Sequence, residues 1–195
     1  MRYRYLFCFF FITIILTGCS VTSAKTENAT ENLSHITIGN VLEVKNPDKR
    51  LVLLDHKETL AADGLYYISW GMNCQEDNKN NEEDSSLQYD AQLYLLLGEA
   101  ISSEEAQYNM DTWLTAAKTN YEIVTEKEIS SNDQSYTIIL YDRSTTDSIY
   151  TKGISAFSRI DQNAICIELI CTENFNEDLE TILTDFLDNC SYNTN

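Results

Sequence analysis

The chain has 195 residues, with 13 Lys+Arg against 31 Asp+Glu and two His, a formal net charge of -18. Hydrophobic residues make up 43% of it, which excludes a disordered acidic tail. The charge excludes a basic nucleic-acid footprint. Six Gly and one Pro exclude collagen-like and Gly-rich linker architectures, and two His exclude a His-rich metal site.

The N-terminus reads as an address. Arg2 and Arg4 precede an apolar run from Tyr5 to Leu16, broken only by Thr13. That run is shorter than the roughly 20 residues that span a bilayer and suits a signal sequence. Leu16-Thr17-Gly18-Cys19 follows and resembles a bacterial lipobox. The resemblance implies a signal peptide over residues 1–18, diacylglycerol on Cys19 and cleavage before it. Two or three acyl chains anchor stably where one does not. Cleavage would leave 11 Lys+Arg against 31 Asp+Glu, a net charge of -20. Residues 19–34 are then the lipidated Cys and a flexible polar tether, and residues 35–195 a single folded domain.

Within the domain, Ile36–Val44 and Leu51–Leu54 are strand candidates divided by an Asn46-Pro47-Asp48 turn. Leu65–Cys74 is an aromatic-rich strand, Gln75–Ser86 an acidic loop, and Leu87–Leu97 a strand that becomes continuously apolar. Ser102 and Glu105 form a capping box. Ala106, Met110, Trp113, Leu114 and Ala117 then fall on one helical face, with Asn120 as a stop. A meander follows: Tyr121–Ile129, Ser135–Tyr141, Ile149–Ile160 and Ala164–Cys171, joined by polar turns. Asn174 with Glu177 is the expected start of a second helix. Its stripe is Phe175, Leu179, Ile182, Leu183, Phe186, Leu187 and Cys190. Short turns force antiparallel pairing. The expected class is α+β, an antiparallel sheet covered by two amphipathic helices.

The tail carries a resemblance. A Gly153-Ile154-Ser155-Ala156-Phe157 strand, a short turn, the Ala164–Cys171 strand and Glu173-Asn174-Phe175 opening a helix resemble the PsbP-like fold. That fold, an α/β/α sandwich, also occurs in small bacterial lipoproteins of the DcrB type. The likeness covers roughly Leu51 to Tyr192. It implies extracytoplasmic binding or accessory roles rather than one chemistry, and it assigns no functional residue.

Sites for chemistry are few. No G-x-S-x-G, H-E-x-x-H or P-loop pattern occurs. His35 and His56 sit in polar segments and read as solvated. The loop from Glu76 to Asp84 is rich in oxygen ligands, but Lys79 lies inside it and no Gly permits the sharp turn of an EF-hand, so it reads as solvated and no metal is expected. Tyr66, Ile68, Trp70 and Met72 share one strand face, and Tyr67, Ser69 and Gly71 the other; Tyr89 and Tyr94 lie on the strand expected to pair with them. Tyr66, Tyr67, Trp70, Tyr89 and Tyr94 are therefore the candidate ligand cleft. Cys166 and Cys171 are roughly 16 Å apart along one strand and cannot bridge. Full pairing leaves only Cys74–Cys171 with Cys166–Cys190, and free buried thiols are the preferred reading.

The expected function is a membrane-anchored extracytoplasmic lipoprotein with a non-enzymatic binding or accessory role. It needs no cofactor. Its partners are the membrane, through the lipid on Cys19, and an unknown protein or small ligand, without nucleic acid. The alternatives are an acidic immunity- or chaperone-type protein masking a basic partner, and a cell-envelope hydrolase using carboxylates or a cation.

Overall fold

The computed structural model describes residues 35–38, 41–45, 48–57, 64–73, 89–143 and 148–193. The expected signal peptide, Cys19, the tether, the Asn46-Pro47 turn, Cys74 and the acidic loop lie outside the described residues.

Ten strands and two helices are described. They run β1 (His35–Ile38), β2 (Leu42–Lys45), β3 (Val52–Lys57), β4 (Leu65–Met72), β5 (Ala91–Glu99), α1 (Ser103–Asn120), β6 (Glu122–Ser131), β7 (Gln134–Asp142), β8 (Tyr150–Ile160), β9 (Asn163–Thr172), α2 (Leu179–Asp188) and β10 (Cys190–Tyr192). Seven strands form an antiparallel sheet in the order β3-β4-β5-β9-β8-β7-β6, and β1-β2-β10 form a second antiparallel sheet. The α+β class, the antiparallel pairing and both helices agree with expectation.

Helical cover is thinner than expected. The helix α1 packs on one face of the large sheet, over β9, β8 and β5. The opposite face is covered jointly by α2 and the small sheet. Ile36, Ile38, Leu42 and Val44 join Leu183, Phe186 and Leu187 in one core with Trp70, Leu93, Leu95, Ile154, Ile165 and Ile167. We call this the inner face and the α1 side the outer face.

The Ile36–Val44 candidate is two strands, with Ile38 opposite Leu42. The sequence holds Gly39-Asn40 at its middle, a dipeptide that favours hairpin reversal over continued extension. The last stripe also ends differently. Cys190 is not on α2 but in β10, where it pairs with Val44 of β2.

The caps show which local signals won. Ser102 is extended and accepts from the Glu105 backbone N–H at 3.2 Å. The Glu105 carboxylate reaches back to the Ile101 N–H at 3.1 Å, one residue before the usual capping-box target. At α2, Asp178 rather than Asn174 is the cap, accepting from the Thr181 N–H at 2.9 Å. Glu177 is drawn instead to Arg50, which also grips Asp48 through a 2.6 Å bond. This pair ties the segment before β3 to the start of α2.

Two-residue turns join β6 to β7 and β8 to β9. Asn132 and Asp133 have φ of 49° and 63° between Ser131 and Gln134, the backbone of a type I′ hairpin. The Asn132 amide then donates to Asp188 O and Cys190 O, each at 2.9 Å. It satisfies carbonyls at the end of a helix that has no basic residue in its last turn.

Cys166, Cys171 and Cys190 are free thiols. Cys166 packs on the outer face while Cys171 and Cys190 lie in the inner core. The sheet itself separates Cys166 from Cys190, so that bridge is excluded. Burial pushes the Cys171 thiol up to about 11 and Cys190 to about 12.

Candidate functional site: a tyrosine-lined sheet face

Strand periodicity divides the five candidate cleft residues between two faces. Trp70 is buried in the inner core, where its ring meets Phe186 edge-on with centroids 5.4 Å apart. The gap that Trp70 and Phe186 share with Ile36 and Val44 is too tight for a water molecule. Tyr66 is half-buried against the same core, and its hydroxyl donates to Glu99 at 3.1 Å. Tyr67, Tyr89 and Tyr94 lie on the outer face. The rings of Tyr67 and Tyr94 are 6.0 Å apart. Tyr89 lies flat over Gly71, where an added Cβ would come within 2.5 Å of its ring. The close approach that Gly71 permits is thus made by the protein's own side chain.

The register builds the rest of this face. Ser69 pairs with Tyr94, Tyr94 with Glu168, and Glu168 with Ser155, one polar row across β4, β5, β9 and β8. The Tyr141 hydroxyl donates to the Glu168 carboxylate and accepts from Ser155 Oγ at 3.3 Å. Gly153 makes room for that phenol, since a Cβ there would lie 2.6 Å from it. Tyr121, just past the end of α1, stacks on Tyr141 with centroids 4.4 Å apart and planes 8° apart. The Arg143 guanidinium sits 5.3 Å from the Tyr121 centroid. Arg143 is only 3% exposed, the one charged side chain among the buried residues described.

Electrostatics keep this cluster protonated. Burial is the largest cause raising the Tyr94, Tyr121 and Tyr141 phenols. The Glu168 charge adds to it, and Arg143 opposes it at Tyr94 and Tyr121. Tyr150 is pushed up to about 12, again by burial first. At neutral pH these are neutral hydrogen-bonding groups. Burial also raises Cys166 and disfavours its thiolate, and Ser155 is buried. None of these side chains is set up as a nucleophile. Among the described residues no three His, Cys, Asp or Glu side chains converge as metal ligands. His35 pairs with Glu43 at 2.8 Å on the small sheet, away from the cluster. What the arrangement offers is aromatic faces and fixed polar groups beside α1.

Sequence reasoning did not single out Arg143, Tyr121, Tyr141 or Glu168. One signal was present. Ser155 and Glu168 are polar residues inside otherwise apolar strands, at positions that alternate away from the core.

No protein-family model matches the chain, and no curated protein matches it. Among solved structures, the chain is similar to the cyanobacterial PsbP (CyanoP) from Synechocystis sp. PCC 6803, with a TM-score of 0.48 and 11% identity, over 92% of this chain and 99% of that one. It is also similar to a crystal structure from Bacteroides thetaiotaomicron VPI-5482, with a TM-score of 0.36 and 6% identity, over 82% of this chain and 47% of that one. At these values the likeness carries no statement about ligand or activity.

Proposed function

We propose that the chain is a lipoprotein, held outside the cytoplasm by acyl chains on Cys19, with a PsbP-like domain that binds a partner rather than catalysing a reaction. The observation that carries this reading is the lipobox Leu16-Thr17-Gly18-Cys19 behind an apolar run of signal length. The geometry of the domain supports the non-enzymatic part. Its buried phenols and thiols are neutral, and the Glu168 carboxylate is engaged by the Tyr141 hydroxyl. The net charge of -20 after cleavage favours a second, narrower reading, an immunity- or chaperone-type protein that masks a basic partner.

Labelled fatty acid fed to expressing cells tests the anchor. Wild type takes up label and Cys19→Ser does not; label on Cys19→Ser would refute the anchor. Affinity capture with the full lipoprotein in neutral detergent, followed by mass spectrometry, tests the binding role. One partner recovered in stoichiometric amount is expected, and turnover of an envelope polymer by the purified protein would refute the non-enzymatic part.

A further inference from the structure

The strand β6 ends the seven-stranded sheet, and among the described residues it pairs with β7 alone. An open edge leaves alternate backbone N–H and C=O groups without ladder partners, ready for another strand. Proteins close such edges with Pro, with bulges or with outward Lys. β6 contains no Pro, and its bulge lies at one end, between Ile123 and Thr125. From Thr125 to Ser131 the register with β7 is unbroken. Its one lysine, Lys127, is turned into an ion pair with Glu180 of α2 at 2.5 Å. The other edge, β3, is six residues long and bulged between Leu53 and Asp55.

The flanks of β6 are acidic. Exposed Glu122, Glu126 and Glu128 lie on the strand, while Glu180 and Asp188 of α2 reach it through Lys127 and Ser131. Among the described residues, Lys127 pairs with Glu180 and Lys118 with Glu126. Val124 adds an apolar contact, 56% exposed. Two copies of a chain of net charge -18 would repel one another across such an edge.

We infer that β6 is a docking edge for an extended, lysine- or arginine-bearing strand of a partner protein, which continues the large sheet beyond β6. Main-chain hydrogen bonds would supply affinity, and the glutamates would select a cationic strand. This deepens the partner-binding reading above and rests on it, but it does not depend on the lipid anchor.

The test uses the full lipoprotein in neutral detergent and a nine-residue capped peptide alternating Lys and Val. Hydrogen exchange followed by mass spectrometry reads where it binds. Peptide should slow exchange in residues 125–131 by about tenfold or more, as paired amides do, and leave β3 unchanged. The same peptide methylated on alternate backbone nitrogens keeps its charge but cannot extend a ladder, and it should give no protection. Glu126→Gln with Glu128→Gln should weaken binding severalfold, as should raising the salt. No protection at millimolar peptide, equal binding of the methylated peptide, or protection confined to β3 or α1 would overturn the proposal. So would sedimentation of the free protein as a dimer with residues 125–131 already protected. If the peptide fails while affinity capture yields a partner bound elsewhere, the edge is wrong and the binding role survives.

Discussion

Gly153 has no side chain because Tyr141 occupies the space where one would be. A Cβ would meet the Tyr141 Cζ and hydroxyl at 2.6 Å, and that ring is pinned beneath Tyr121. Gly153→Ala should therefore destabilise the protein by about 1–3 kcal/mol, the usual cost of overpacking a filled core. Urea unfolding with an unchanged slope checks it. Tyr141→Phe keeps the ring but removes the hydroxyl between Ser155 and Glu168. The carboxylate loses a buried donor, so a loss of about 1–3 kcal/mol is expected. A neutral outcome would mean that solvent replaces the phenol at Glu168.

At the scale of elements, α2 depends on contacts from both of its ends. Phe186 is 1% exposed, against Trp70, in the middle of the inner core. Phe186→Ala should cost about 3–5 kcal/mol in denaturant unfolding, a large part of a typical stability of about 5–15 kcal/mol. The end of the helix is closed by a residue from another element, Asn132 in the β6–β7 turn. Asn132→Gly keeps the positive φ permissible and removes only the amide. It should cost about 0.5–1.5 kcal/mol and raise exchange at residues 187–190, because carbonyls at the helix end, exposed at Asp188 and part-buried at Cys190, lose their donor. Local signals identified both helices, but at α2 they pointed to Asn174 as the cap where the structure uses Asp178. Arg50 takes Glu177, the residue an Asn174 capping box would have used, and Asp178 caps Thr181. That choice depends on a contact between residues far apart in the chain.

The whole molecule should lose stability at high pH. Cys171 is raised to about 11, and Tyr150 and Cys190 to about 12, by burial that disfavours their charged forms. Groups whose folded pKa is raised stabilise the fold fully below their unfolded values, near 8.5 for thiols and 10 for phenols. That contribution disappears as pH rises through the folded values. The denaturation midpoint should thus be level from about pH 6 to 8.5, then fall progressively toward pH 12. Asp48 behaves oppositely. Its hydrogen bonds from Arg50 lower its pKa, so its contribution is present above the unfolded carboxylate value and is lost as pH falls through the folded one. A midpoint that stays constant between pH 9 and 12 would show that these groups are as exposed folded as unfolded.

Periods of 2 and 3.6 residues, hairpin turns and the Ser102 cap are properties of neighbours along the chain. The sequence by itself therefore determined the α+β class, the faces of β4, the α1 stripe and the placement of Tyr67 opposite Trp70. It did not determine that β9 lies between β5 and β8, or that β10 returns to β2. Strand order follows from which apolar faces bury together best, and many orders share the same local pattern. The outer-face cluster depends on that order. Tyr94 meets Glu168 only because β5 pairs with β9, and Tyr141 reaches Glu168 only because β7 pairs with β8 over Gly153. Four tyrosines and a tryptophan were legible as residue types, but the contacts that place them in a dry core or on a polar face, and the arrival of Tyr121, Tyr141 and Arg143, were decided by pairing across the sheet.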